Sequence, residues 1–106
     1  MNFQEYNERL AVIRAQFGLD RDKEIVVSTM GLAGECGEVC ELIKKDIRDK
    51  SIDKTALKKE LGDTLAYLTN IANMYDFSLE DIAIANLDKL EDRMKRGTLR
   101  GSGNDR

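Results

Sequence analysis

The stretch Lys54-Thr-Ala-Leu57-Lys-Lys-Glu60-Leu61-Gly-Asp63-Thr-Leu65-Ala-Tyr-Leu68-Thr-Asn-Ile-Ala72 decides the fold class. Its apolar residues return every three or four positions, the period of one helix face and not the alternation of a strand. No cluster of glycine or proline interrupts it, so one long helix from about Lys54 to Tyr75 is expected. Either side of it carries the same signal. Upstream, Phe3, Tyr6, Leu10, Ile13 and Phe17 mark a segment that Gly18 can stop. A second segment, from about Lys23 to Arg48, carries Val26, Val27, Met30, Ala33, Cys36, Val39, Cys40 and Ile43. Its Lys44-Lys45 suits the negative end of a helix. Downstream, Leu79, Ile82, Ala83, Leu87, Leu90 and Met94 continue the pattern until Gly97.

Local chemistry agrees with these limits. Ser51 or Asp53 can cap the third segment, and Ser78 with Asp81 three residues later predicts a capping box on the fourth. The best strand candidate, Glu24 to Ser28, runs straight into a helical pattern. The expectation is an all-α protein: a four-helix bundle-like domain over residues 1–97, followed by a polar, glycine-rich tail over 98–106. The tail should be mobile unless a ligand or neighbour orders it. A four-helix chain of 106 residues buries only a limited core by itself, so completion by oligomerisation is expected.

Composition narrows the function. Hydrophobic residues make up 42% and there is no proline, which suits an ordered protein of a few long helices. A net charge of −3 and a pI near 5.0 argue against a nucleic-acid binder. No secretory signal and no apolar run of roughly 20 residues is present, so a cytoplasmic, non-membrane protein is expected. Histidine is absent. Cys36 and Cys40 lie one helix turn apart, a poor geometry for a disulfide, and two thiols are too few for a zinc site.

The acidic residues fall into pairs. Glu35 and Glu38 lie three apart on the second segment, and Glu60 and Asp63 three apart on the third. Each pair shares one helix face, and an antiparallel packing of the two segments brings the pairs face to face. Four carboxylates together repel one another, and a divalent cation relieves the repulsion. Oxygen-only ligands suit Mg²⁺, with Mn²⁺ as the alternative. Glu41 extends the series but rotates further round the helix. The competing reading is a solvated helix face. Against it stand the flanking apolar residues and the glycines Gly31, Gly34, Gly37 and Gly62, each costing roughly 1 kcal/mol in a helix interior. Close approach of a neighbouring helix or a ligand would explain them.

Residues Gly31-Leu-Ala-Gly-Glu-Cys-Gly-Glu-Val-Cys-Glu-Leu-Ile-Lys-Lys45 and Lys59-Glu-Leu-Gly-Asp-Thr-Leu-Ala-Tyr-Leu68 together resemble the MazG-type nucleoside triphosphate pyrophosphohydrolases. That family's signature is E-x-x-E, a spacer, then E-x-x-D. Here residues 39 to 59 form the spacer, within the family's range. Asn86-Leu-Asp-Lys89-Leu-Glu-Asp-Arg93, Gly97 and Gly101-Ser-Gly-Asn-Asp-Arg106 resemble the family's C-terminal pattern, with Asn and Asp exchanged in the tail. The resemblance implies Mg²⁺-dependent hydrolysis of a (deoxy)nucleoside triphosphate to the monophosphate and pyrophosphate, by a homodimer or homotetramer. It implies Glu35, Glu38, Glu60 and Asp63 as metal ligands, with Glu35 or Glu38 also catalytic. Asn86, Lys89 and Arg93 form one stripe of the fourth segment and are candidates to bind the substrate's phosphates or sugar. A related branch acts on phosphoribosyl-ATP. Two other classes compete: a di-iron bundle, which lacks its histidines here, and a non-catalytic helical interaction module, which leaves the acid pairs and glycines without a cause.

Overall fold

A computed structural model describes residues 1–106. The chain forms four helices and no strand: α1 (Phe3–Ala15), α2 (Arg21–Asp49), α3 (Lys54–Met74) and α4 (Leu79–Lys95). Each start has a side-chain cap. Asn2 accepts from the Glu5 amide at 2.9 Å, Asp20 from Lys23 at 2.9 Å and Asp53 from Ala56 at 3.0 Å. Ser78 and Asp81 close the expected capping box, with bonds of 3.0 and 3.3 Å. A cap of this kind stabilises a helix by about 1 kcal/mol. The ends follow the glycines in part. Gly18 and Gly97 take left-handed backbone with φ of 62° and 71°, the conformation that glycine adopts without steric cost. Lys50 ends α2 in the same conformation with φ 53°, a stop that no glycine announces.

The helices α2 and α3 form the frame. Residues 50–53 join them, and their pairings run in opposite directions: Ser28 meets Asn70, Gly31 meets Tyr67, and Glu35 meets Glu60. They are therefore an antiparallel hairpin. The 29 residues of α2 span about 43 Å at 1.5 Å per residue. Helix α1 crosses α3, and α4 rests against α1, both by limited contact.

This arrangement is open. Its radius of gyration is 16.6 Å, against about 13 Å for a compact domain of this length. Only Leu10, Ala72 and Leu79 are buried hydrophobic residues. Val26, Met30, Ile43, Leu61, Leu87 and Met94 remain exposed although they belong to the apolar stripes. A polar set occupies the tightest packing. Ser28 and Thr69 are fully buried and Asn70 nearly so, with the Ser28 hydroxyl accepting from the Asn70 amide at 2.6 Å. The Thr69 hydroxyl donates to the Leu65 carbonyl at 2.7 Å.

The tail folds back on α4. The Arg93 guanidinium, 4% exposed, donates to the carbonyls of Asn104 at 2.6 Å and Gly103 at 3.3 Å. Arg106 donates to the carbonyls of Thr98 and Leu99 at 3.1 and 3.2 Å. The tail carbonyls thus meet two of the chain's own arginines.

Candidate metal centre

The α2–α3 hairpin brings Glu35, Glu60 and Asp63 together, with one carboxylate oxygen from each within 4.8 Å of the others. Register explains it. Glu60 and Asp63 share one face of α3 by their three-residue spacing, and the antiparallel partner presents Glu35 opposite. Glu35 and Glu60 are half-buried and Asp63 is exposed, so the cluster opens to solvent on one side. Burial, and then the charge of nearby Asp63, hold the hydroxyl of Tyr6 on α1 above its ordinary value.

The electrostatics of three carboxylates show on Glu35. A proton shared with Glu60, then burial, then the charges of Glu60, Asp63 and Glu38 push it from the ordinary 4.5 up to about 7. The Glu35 Oε2 is buried and has no hydrogen-bond partner. A buried acceptor without a donor is unfavourable, and a cation bound by the cluster would satisfy it. Oxygen-only ligands and a half-open cage fit a hard divalent ion such as Mg²⁺, which keeps part of its water shell.

This sets a sign for pH. The folded, metal-free protein holds the shared proton to about pH 7, whereas an unfolded glutamate releases it near 4.3. The raised pKa therefore favours the fold at low pH, and that contribution is lost as pH rises through about 7. Melting temperature measured in EDTA should fall between pH 5 and pH 8 relative to a Glu35→Gln control. Saturating Mg²⁺ should flatten the slope, because the cation replaces the proton.

The other expected residues fall differently. Glu38 is exposed and stands outside the three-carboxylate cluster, although its charge reaches Glu35. Glu41 pairs with Lys44 at 2.8 Å. Asn86 and Lys89 line an open groove built of α4 and Phe77, which includes no residue of α2 or α3. Arg93 is occupied by the tail carbonyls. The α4 stripe thus does not share a cavity with the carboxylates of its own chain.

Of the helical glycines, only Gly31 meets a close neighbour: a Cβ there would lie 2.5 Å from the Tyr67 ring. At Gly34, Gly37 and Gly62 a Cβ would meet nothing within 4 Å. The expectation of close approach holds at the first and finds open space at the others.

One polar cluster was not anticipated. The Arg14 guanidinium pairs with Glu24 at 2.7 Å, and the Asn70 amide reaches the same Glu24 oxygen at 2.8 Å. Arg14 also lies over the Phe17 ring at 4.5 Å. No local feature of the sequence pairs Arg14, Glu24 and Asn70, which stand on three different helices.

The sequence profile of the MazG nucleotide pyrophosphohydrolase domain matches residues 27–98. The chain belongs to this family. The matched span contains all four acidic residues of the two motifs. The gene 37 protein of Mycobacterium phage L5 is 41% identical over 83 residues, covering 74% of this chain and 73% of that protein. No solved structure matches. Membership of the MazG family makes nucleotide pyrophosphohydrolysis the broad chemistry the family suggests for this chain, and the all-helical fold agrees with it. No helix of this MazG chain is long and apolar enough to cross a membrane.

Proposed function

We propose that the chain hydrolyses a (deoxy)nucleoside triphosphate, in a Mg²⁺-dependent reaction, to the monophosphate and pyrophosphate. The observation that carries this reading is the buried, partnerless Glu35 Oε2 set against Glu60 and Asp63 within the MazG-matched span. Glu35, Glu60 and Asp63 would hold the ion, with Glu38, one helix turn along α2 from Glu35, as a fourth ligand. When bound, the cation supplies charge neutralisation for the phosphates and lowers the pKa of a coordinated water. Glu35, beside the ion, is the residue we assign to take the proton of the attacking water. Attack at the α-phosphorus forms the new P–O bond and breaks the bond to the departing pyrophosphate.

The phosphates also need cations from the protein. Lys89 is the cation we assign to that role, with Asn86 as a neutral donor beside it and Arg93 joining them once the tail carbonyls release it. They stand on a helix that shares no cavity with its own chain's carboxylates, so a second copy supplying α4 fits the assignment. The exposed apolar stripes of α2, α3 and α4 support a homodimer or homotetramer as the working form.

Incubation with each common ribo- and deoxyribonucleoside triphosphate and Mg²⁺, followed by analysis of products, tests the proposal. Stoichiometric monophosphate and pyrophosphate, abolished by EDTA, is the expected result. Orthophosphate as the sole product, or no turnover with any triphosphate, would sink it.

A further inference from the structure

A second cavity lies along the same hairpin, between α1, the start of α2 and the end of α3. It measures about 230 Å³. Its polar edge is Arg14, Glu24, Asn70 and Asn73, and its wall includes Ala11 and Ala15. Small apolar walls with polar groups at one edge are what a flat heteroaromatic ring requires, since its faces are apolar and its edge carries donors and acceptors. The cavity is also the right distance from the chemistry. Asn70 is seven residues beyond Asp63 on α3, about 10 Å along the axis, comparable to the reach from an α-phosphate across the sugar to a base.

From this geometry we infer that the cavity is a nucleobase pocket selecting a base with an exocyclic amine. This rests on the nucleotide reading above. Glu24 decides the class. Glu24 lines the cavity; its Oε1 takes Arg14 and Asn70, and no protein donor is left for its Oε2. A carboxylate oxygen accepts only, so the ligand must bring an N–H. The amine of cytosine or adenine offers one at the ring's edge. The ring N–H of uracil or thymine lies between two carbonyl oxygens, which would be driven against the carboxylate. The Arg14 and Asn70 bonds hold Glu24 in place, which fixes the direction of Oε2 before a ligand arrives. Arg14 and Glu24 lie outside the span that matches the MazG profile, residues 27–98. The carboxylates that would do the chemistry lie inside it. This division suits shared catalysis with selection particular to this chain.

Calorimetric titration of the full chain with dCMP, dAMP, dUMP and dTMP in saturating Mg²⁺ tests the inference without requiring turnover. The amino-bearing monophosphates should bind about tenfold more tightly, the weight of one charge-assisted hydrogen bond. Glu24→Gln should level the four affinities. Because Glu24 also ties α1 to the hairpin, a second variant guards against loss of fold. Ala15→Trp places bulk in the cavity from an exposed position and should remove the preference while Mg²⁺ alone still raises the melting temperature. Equal affinities in the unaltered chain, no binding of any monophosphate, or a preference that survives Ala15→Trp would each overturn the pocket. Absence of pyrophosphate release with every triphosphate would instead overturn the proposed reaction, and the two failures are read by different instruments.

Discussion

Replacing Glu60 by Gln should cost Mg²⁺-dependent pyrophosphate release about 10²–10³-fold, the scale of losing one preorganised charge-stabilising group, and should raise the melting temperature of the metal-free protein by a few degrees. The two effects have one cause. Glu35, Glu60 and Asp63 converge within 4.8 Å, so without a cation each carboxylate is held against its neighbours' charge. Gln keeps the size and a hydrogen-bonding group but removes the repulsion and the ligand charge. It can also donate to Glu35, whose Oε2 lacks a partner. A variant that merely misfolds would lose activity and stability together, and opposite signs exclude that explanation. Asp63→Asn should behave in the same way, with a smaller gain in stability because Asp63 is exposed. Glu38→Gln is the informative contrast. Its carboxylate stands outside the cluster, so its loss should leave the metal-free melting temperature almost unchanged while lowering turnover. Differential scanning fluorimetry in EDTA beside a pyrophosphate assay reads both quantities. A Glu60→Gln protein that is less stable in EDTA, or fully active in Mg²⁺, would refute the shared-cluster account.

The same residues show how far sequence alone reaches. Helices were legible because three- and four-residue spacing is a local property, and Asp53, Ser78 and Asp81 marked their starts through bonds three residues long. The facing of Glu35 and Glu60 followed from two spacings and a short connection, which leave antiparallel packing as the simple solution. What was hidden depends on contacts far apart in the chain. The Arg14–Glu24–Asn70 cluster joins three helices. Nothing local to Arg14 distinguishes it from the exposed Arg9. Arg93 was legible as a cation but not as one held by Gly103 and Asn104, because the tail's composition suggests mobility. Exposure of Leu61 and Leu87 likewise contradicts their stripe positions within one chain. The stripes state that these side chains are to be covered and leave open by what.

The glycines offer a direct way to find out. Gly31→Ala should destabilise the chain by about 1–3 kcal/mol, the usual cost of overpacking, because the new Cβ would lie 2.5 Å from the Tyr67 ring. The new Cβ meets the outer end of the ring, so Tyr67 must turn aside to admit it, and the penalty should shrink when Tyr67 is replaced by Ala. A double-mutant cycle in urea measures that coupling, and strict additivity would show that the ring is not the obstacle. Gly34→Ala, one turn further along the same helix, should have the opposite sign. Its Cβ meets nothing within 4 Å, so the isolated chain should gain up to about 1 kcal/mol from improved helix propensity. Concentration then discriminates. If a second copy lies over this face, as the proposed assembly requires, the alanine that helps the dilute chain should weaken self-association, and sedimentation would show a shift towards the monomer as stability rises. An unchanged association constant would place the partner elsewhere. Gly37 and Gly62, equally open in the single chain, extend the scan across the hairpin, and the positions at which alanine turns from favourable to unfavourable would trace the footprint of whatever covers it.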